Sequence, residues 1–123
     1  MAHPEEDLDP VQKWAVQLRK GSLELAIMAS LWSGKLYGLE ILRQLADGSS
    51  LIVPEGTVYP LLSRLKQEGW LDAEWVTSEA GHPRKYYKLT PSGRRHARQL
   101  AGSWSSLAAS LDRLLKPVLK EED

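Results

Sequence analysis

The sequence predicts a mainly α-helical α+β domain, in which short helices precede a two-stranded hairpin and a long C-terminal helix. Through the first half of the chain, apolar residues recur every three or four positions, as in helices with one buried face. Between Asp72 and Leu89 the period changes to two, which is typical of strands. After Pro91 a helical stripe returns and continues almost to the end. At 123 residues the chain is expected to form one folded domain with its appended helix.

Composition excludes several classes of protein. The chain has no cysteine, and so it has no disulfide framework, no thiolate zinc site and no cysteine nucleophile. No apolar run approaches the roughly 20 residues that span a bilayer, and the acidic N-terminus is unlike a signal peptide. We therefore expect a cytoplasmic protein with no membrane partner.

The charges are unevenly distributed, although the net charge is zero. Seven of the 16 acidic residues lie close to the two ends, whereas all 16 basic residues lie between positions 10 and 120. Nine acids accompany those 16 cations, which gives the body a net charge of +7. A basic body with acidic ends is typical of nucleic-acid binders, although frayed ends of any soluble protein look similar. We predict disordered acidic tails at residues 1–10 and 120–123.

Two helices are predicted near the N-terminus. The first covers Val11–Lys20 and ends at Gly21, and the second begins with Ser22 as its N-cap and runs to about Ser33. The second helix should be the most buried, because apolar residues nearly surround it. Its core face carries Leu23, Ala26, Ile27 and Leu31.

A third helix is predicted over Tyr37–Ala46, with Leu42 and Leu45 inward. Residues 47–50 form a turn cluster and residues 51–53 a short extended piece. A fourth helix follows and ends at Gly69. Pro60 allows two starts for it: near Pro54 with a slight kink, which we favour, or at Tyr59 with Pro60 in the first turn.

The fourth helix has one apolar and one polar face. Its apolar residues follow the i, i+3, i+4, i+7 pattern: Val58, Leu61, Leu62 and Leu65. The opposite face combines hydroxyls and cations, the groups that hydrogen-bond phosphates and base edges. These predicted contact residues are Thr57, Tyr59, Ser63, Arg64 and Lys66.

Two strands follow, over residues 72–77 and Lys85–Leu89, joined by a loop too long for a two-residue turn. Helices followed by such a hairpin indicate a winged helix-turn-helix domain, which we assign to residues 11–90. Thr90 and Pro91 then provide an N-cap and a first-turn proline for the last helix.

The last helix, assigned to residues 91–119 and expected to end near Lys116, carries a stripe spaced 4, 3, 4, 3. Because it is too long for the small domain to cover, a second copy of the chain is the simplest partner. The alternative is a helix folded back on its own domain. The stripe includes Ala97, and the predicted dimerisation residues are Trp14, Leu100, Trp104, Leu107, Leu111, Leu114 and Leu115.

Three motifs in order resemble the PadR family of transcriptional regulators. They are Tyr37-Gly38-Leu39-Glu40-Ile41, then Gly56-Thr57-Val58-Tyr59-Pro60-Leu61-Leu62-Ser63-Arg64-Leu65, then Arg84-Lys85-Tyr86-Tyr87-Lys88-Leu89-Thr90-Pro91-Ser92-Gly93. The single C-terminal helix is similar to that of the small PadR subgroup. The chain departs from the family pattern at Val58, where leucine is usual, and at His82-Pro83 before the wing.

This resemblance implies a dimeric winged-helix repressor on a pseudo-palindromic operator in double-stranded DNA. The helix Glu55–Glu68 would enter the major groove, and the wing residues Arg84 and Lys85 would grip the flanking backbone. Residues 81–98 hold six cations and no acid, and this charge pattern agrees with contact to the DNA backbone. Tyr37 and Tyr59 each have two interpretations, a hydroxyl donor to phosphate or a half-buried packing residue, and for Tyr59 we favour the DNA contact.

Trp104 also has two interpretations. As a large apolar residue it fills the dimer interface. Because small residues flank it, it could instead face its symmetry mate across a slot that binds a flat aromatic effector. Some small PadR relatives look like drug-responsive repressors with a tryptophan at this position.

No enzyme is predicted. His3, His82 and His96 lack metal-ligand spacing, and no catalytic constellation or cofactor motif is present, so we expect no metal and no cofactor. The alternative function is a winged helix that docks a partner protein, since fold does not fix function.

Overall fold

The computed structural model describes residues 7–48, 51, 53–77, 79 and 81–121. Its first helix, α1, covers Pro10–Ser30. Asp9 caps it: the Asp9 carboxylate accepts a hydrogen bond from the Gln12 backbone N–H at 2.8 Å, and the Gln12 side chain accepts from the Asp9 N–H at 3.0 Å. The predicted tail therefore includes a helix cap and the first helical residue. Residues 1–6 lie outside the described residues.

The predicted break at Gly21 is wrong, because α1 runs through it as one continuous helix. Ser22 is not an N-cap, since its hydroxyl donates back to the Leu18 carbonyl at 2.9 Å, as serine does inside a helix. Gly21 is a poor helix former, but one glycine costs only about 1 kcal/mol. The packing of the buried residues Leu23 and Ile27 outweighs that cost.

Helix α2 covers Gly38–Ala46 and helix α3 covers Glu55–Gln67. In α2 the side chains of Ile41 and Leu45 are buried, and Leu42, predicted inward, is half-buried and packs against the same core. Helix α3 begins early and contains Pro60, as the favoured alternative predicts. Of the predicted extended piece, Leu51 is in a turn, Val53 is irregular and residue 52 lies outside the described part.

A left-handed glycine ends α3. Gly69 has φ 83°, its N–H donates to the Lys66 carbonyl, and the Trp70 N–H donates to the Leu65 carbonyl, both at 3.0 Å. This pair of bonds is a Schellman motif, which turns the chain directly into the sheet.

The sheet has three strands among the described residues, one more than predicted. Strand β1 is Leu36–Tyr37, β2 is Leu71–Thr77 and β3 is Pro83–Leu89, in the antiparallel order β1-β3-β2. Two residues carry too little periodicity to predict β1. In the hairpin, Leu71 pairs with Leu89 and Trp75 pairs with Lys85.

The last helix, α4, covers Pro91–Lys120 and is about 45 Å long at 1.5 Å per residue. It extends past the predicted end near Lys116 and contains Pro117 within its last turns. The Thr90 hydroxyl caps it by accepting from the Gly93 N–H at 2.9 Å. Residue 121 follows the helix, and residues 122–123 lie outside the described part.

The start of α4 is joined to the end of α3. The Thr90 hydroxyl donates to the Gly69 carbonyl at 2.6 Å, and the Ser92 hydroxyl donates to the same oxygen at 3.0 Å. The Thr90 N–H donates to the Trp70 carbonyl at 3.1 Å. We call these three bonds the α3–α4 junction.

One hydrophobic core lies between α1, α2, α3 and the inner face of the sheet. Its buried members are Leu23, Ile27, Met28, Leu31, Ile41, Leu45, Val58, Leu62, Leu65, Leu71, Tyr87 and Ala97. Because Ala97 is among them, the first turns of α4 belong to this core, whereas the later turns leave it.

Candidate nucleic-acid interface

Helix α3 presents the polar face that the sequence predicts. Val58, Leu62 and Leu65 are fully buried against the core, as their spacing requires. The outward positions are exposed: Thr57, Tyr59, Ser63, Arg64 and Lys66. The helix is therefore anchored on one side and open to a ligand on the other.

Tyr59 lies at the edge of that open face. Its ring packs against Gly38 at the start of α2, where a Cβ would lie 2.6 Å from the Tyr59 hydroxyl oxygen. Glycine at position 38 thus makes room for the ring. Burial, and then the neighbouring Tyr59, raises the pKa of Tyr87 on β3. The Tyr59 hydroxyl therefore lies where α2, α3 and the hairpin meet, with 39% of the residue still exposed.

Arg64 lies on the other edge of α3 and is held by two carboxylates. Its guanidinium is 2.9 Å from Glu68 and 3.7 Å from Glu24 on α1. Glu24 is also 3.3 Å from the His96 imidazole on α4. Much of the Arg64 charge is therefore compensated within the protein. Lys66, by contrast, has no ion-pair partner among the residues described, so its charge is available to a phosphate.

Tyr37 is a packing residue of the sheet. Its ring meets the Tyr86 ring edge-on at 5.5 Å, and the Arg84 guanidinium lies 4.6 Å from its centroid. Its backbone N–H donates to the Glu40 carboxylate at 3.1 Å, at the start of α2. Of the two interpretations of Tyr37, these contacts favour packing.

The two wing cations lie on opposite faces of the hairpin, because successive residues of a strand alternate. Arg84 stacks on Tyr37 on the outer face. Lys85 lies on the inner face, with its ammonium 5.9 Å from the Trp75 ring and 5.7 Å from the Tyr87 ring. A DNA backbone beside one face would therefore meet one of them directly, not both.

Two other cations of residues 81–98, the segment without acidic residues, pack on an aromatic ring. The Arg94 guanidinium is 3.8 Å from the Trp32 centroid and donates to the Trp32 carbonyl at 3.1 Å. Arg98 is 5.4 Å from the same ring. These contacts attach α4 to the end of α1, a structural role that a local count of charges does not reveal.

The outer face of the sheet holds an ion pair that the sequence analysis missed. The Lys35 ammonium is 3.0 Å from the Glu74 carboxylate and, by hydrogen bonding and charge, lowers the pKa of that carboxyl. The two residues are 39 apart in sequence and meet only because β1 joins the hairpin. The acidic charge of Glu74 is thereby offset on the face away from α3.

The predicted dimerisation residues of α4 divide into two groups. Leu100, near the core, is half-buried by its own domain. The residues beyond it are 41–64% exposed: Trp104, Leu107, Leu111, Leu114 and Leu115. On α1, Trp14 is likewise 64% exposed. The stripe is therefore uncovered from Trp104 onward, and the helix does not fold back on its own domain.

An anchored helix with a polar outer face, beside a hairpin that carries lysine and arginine, defines a winged-helix DNA-binding protein. The Transcriptional regulator PadR-like family matches residues 27–99, which is more than half of the chain. The chain belongs to this PadR-like family. Members of the family are DNA-binding transcriptional regulators and not enzymes.

Solved structures agree with the family assignment. A PadR family transcriptional regulator from Eggerthella lenta is 32% identical, with a TM-score of 0.75 over 86% of this chain and 92% of that chain. A PadR-like transcription factor from Bacteroides fragilis is 43% identical, with a TM-score of 0.67 over 86% and 99%. A PadR-like regulator from Bacillus cereus is 31% identical, with a TM-score of 0.74 over 81% and 97%.

Among the helices described, none is both long enough and apolar enough to cross a membrane.

Proposed function

We propose that the protein is a homodimeric repressor that binds a pseudo-palindromic operator and is released by a flat aromatic ligand. The observation that carries the proposal is the uncovered apolar stripe of α4 on a chain that belongs to a family of DNA-binding regulators. A second copy of the chain would cover this stripe with the same stripe of its own α4. Two copies related by a dyad would then present two α3 helices to one duplex.

The dimer interface would combine α4 with the N-terminal half of α1. Leu18 and Trp104 line one apolar groove, so the exposed stripes of the two helices are continuous there. Trp14 lies one turn before Leu18 and is also exposed. Burying such residues against a second copy would contribute roughly 25 cal/mol per Å² of apolar surface removed from water, and the cost of association is subtracted from this gain.

In the dimer, the two α3 helices would lie in successive major grooves about 34 Å apart. Tyr59, Ser63 and Lys66 on the open face would contact bases and phosphates, with Thr57 at its edge. Lys85 would contact the flanking backbone from the inner face of the hairpin. A regulator bound in this way blocks access to the DNA beneath it, which is the simplest route to repression.

The ligand would bind at Trp104. The groove beside its indole has a volume of about 310 Å³ and is lined mainly by apolar side chains. Its lining residues are Leu18, Arg19, Ser22, Leu25, Ala26, Leu51 and Trp104. A second copy packed on α4 would cover this groove from outside, and a flat apolar or cationic ligand would stack on the indole.

The DNA function is tested by a footprint of the purified protein on the DNA upstream of its own gene, together with sedimentation. We expect protection of two half-sites one helical turn apart, and dimers at tens of micromolar (about 10⁻⁵ M) protein. Monomers at that concentration that protect one half-site would contradict the dimeric arrangement.

The ligand function is tested by tryptophan fluorescence titrated with planar aromatic dyes, for the wild type and Trp104→Ala. Sedimentation of the variant first verifies that it still dimerises. We expect dye binding only in the wild type, with loss of operator binding as the dye saturates it. Equal dye binding by both proteins, or none by either, would leave Trp104 as interface packing.

A winged helix that docks a partner protein is the second candidate function. Membership of a family of DNA-binding regulators favours the DNA function. The salt dependence of binding distinguishes DNA binding from docking of a partner protein. DNA affinity falls steeply as salt rises because phosphate counterions are released, whereas an apolar protein interface is much less sensitive.

A further inference from the structure

Trp75 on strand β2 has a large exposed surface for which the functions above give no reason. It is 68% exposed and belongs to the hairpin, not to the stripe of α1 and α4. It stands directly across from Lys85 in the register of the hairpin, and the Lys85 ammonium lies 5.9 Å from its ring. An indole left in water next to a cation is a candidate binding element.

Trp75 lies on the inner face of the sheet, the face on which α3 also lies. Alternation along the strands puts Trp75, Lys85 and Tyr87 on one face. Tyr87 is buried in the core, and the neighbouring Tyr59 of α3 contributes to raising its pKa. The Lys85 ammonium lies 5.7 Å from the Tyr87 ring and 5.9 Å from the Trp75 ring, so Tyr87, Lys85 and Trp75 lead from the core outward along the hairpin.

The charges of the hairpin are segregated in a way that suits a polyanion on this face. Asp72 and Glu74 both point to the outer face, where Glu74 pairs with Lys35. The inner-face strand positions carry no carboxylate, and Lys85 is the charged residue among them. These positions are Leu71, Ala73, Trp75, Thr77, Pro83, Lys85, Tyr87 and Leu89.

We propose that Trp75 is a DNA-contacting residue of the wing. Its indole packs on the deoxyribose wall of the groove that flanks α3, while Lys85 beside it meets a phosphate. The proposal rests on the proposed function, in that it needs α3 seated in the major groove. Sugars offer an apolar surface that carries no sequence information, so Trp75 adds affinity for any duplex, and because it neutralises no phosphate it leaves the salt dependence unchanged.

The test uses a mixed-sequence DNA duplex titrated with the full chain over a series of salt concentrations. Three variants separate the contact from hairpin stability. Trp75→Ala removes the ring, Trp75→Thr removes it but keeps a strong strand former, and Trp75→Phe keeps an aromatic face. We expect the first two to bind about tenfold more weakly with an unchanged salt slope, and Trp75→Phe to bind nearly as the wild type does.

Lys85→Ala is the matched control, because it alters the same register position but removes a cation. It should lower the salt slope by about 0.9. Wild-type affinity in Trp75→Thr would overturn the contact, as would a salt slope that falls in Trp75→Thr as it does in Lys85→Ala. A wild-type chain that binds no duplex would instead overturn the DNA function itself, and this outcome is seen before any variant is made.

Discussion

Two glycines of α4 have very different surroundings. A Cβ on Gly93 would overlap with the backbone carbonyl of Trp70, whereas Gly102 has nothing within 4 Å. Backbone cannot swing aside as the end of a side chain can, so Gly93→Ala should cost at least about 2 kcal/mol of unfolding free energy. Gly102→Ala should raise the free energy of unfolding by roughly 0.5–1 kcal/mol, because alanine is the better helix former.

Urea unfolding of both glycine variants, at one protein concentration, measures this difference. Gly102 lies on the side of α4 opposite Trp104, two residues or about 200° away, so the control does not disturb the stripe. Similar stabilities for the two variants would contradict the close approach of α4 to Trp70.

Charge compensation leads to a second prediction at this scale, for Lys66 and Arg64. Lys66→Ala should lower the salt slope of DNA binding by about 0.9, because a contact with one phosphate is lost. Arg64→Ala should leave the slope nearly unchanged, because Glu24 and Glu68 already hold that guanidinium. Binding titrations across salt concentrations measure both slopes. A fall in the slope of Arg64→Ala as large as that of Lys66→Ala would mean that Arg64 leaves its carboxylates for the DNA.

The side chains on α3 could be assigned to a face from sequence, but their partners could not. The helical period identifies Val58 and Leu62 as buried and Ser63 as open. The partner of Arg64 on α1 is 40 positions away, and the partner of Tyr37 on β3 is 49 positions away. Contacts at such separations depend on tertiary packing, on which a local pattern carries no information.

The continuity of α1 can be tested through its two candidate caps. Asp9→Ala removes the cap of the whole helix and should cost about 0.5–1 kcal/mol. Ser22→Ala should be neutral or slightly stabilising, because Ser22 lies inside the helix and bonds back to Leu18. Thermal unfolding followed by circular dichroism measures both. A larger loss for Ser22→Ala than for Asp9→Ala would restore the two-helix interpretation.

The sequence predicts the elements that have a strong periodicity of their own. It does not predict those whose conformation depends on tertiary contacts with other elements. The hairpin and α4 follow from alternation and from Thr90-Pro91, signals contained in the segments themselves. The break at Gly21 was a propensity inference that core packing overrides. Strand β1 exists because Leu36 and Tyr37 meet β3, and its two residues have no period of their own.

At the scale of the molecule, replacing Leu111 and Leu115 together with aspartate should give monomers that retain their helical content. Leu111 and Leu115 are 45% and 41% exposed in the single chain, and neither packs against the hydrophobic core, so the winged-helix domain itself should keep its packing. Two carboxylates on the stripe would have to be buried in the dimer, which is costly for unpaired charges. Operator binding should fall sharply with the loss of the second half-site contact.

Ala109→Asp is the matched control for the monomer prediction, because it lies on the face of α4 opposite Leu111. It introduces one aspartate into the same helix and should leave the protein dimeric. Sedimentation of the three proteins at the same concentration compares them. Dimers in the double variant would mean that the interface lies elsewhere.

The α3–α4 junction determines what a signal at the dyad would be able to change. Three hydrogen bonds join the end of α3 to the start of α4. We therefore expect α3 and α4 to move together, so that a ligand between subunits would shift α3 without turning it within its own domain. The α3 helix of each subunit would keep its intrinsic affinity for one half-site. The ligand would act on avidity alone, by lowering the effective concentration of the second α3 helix at its half-site once the first is bound.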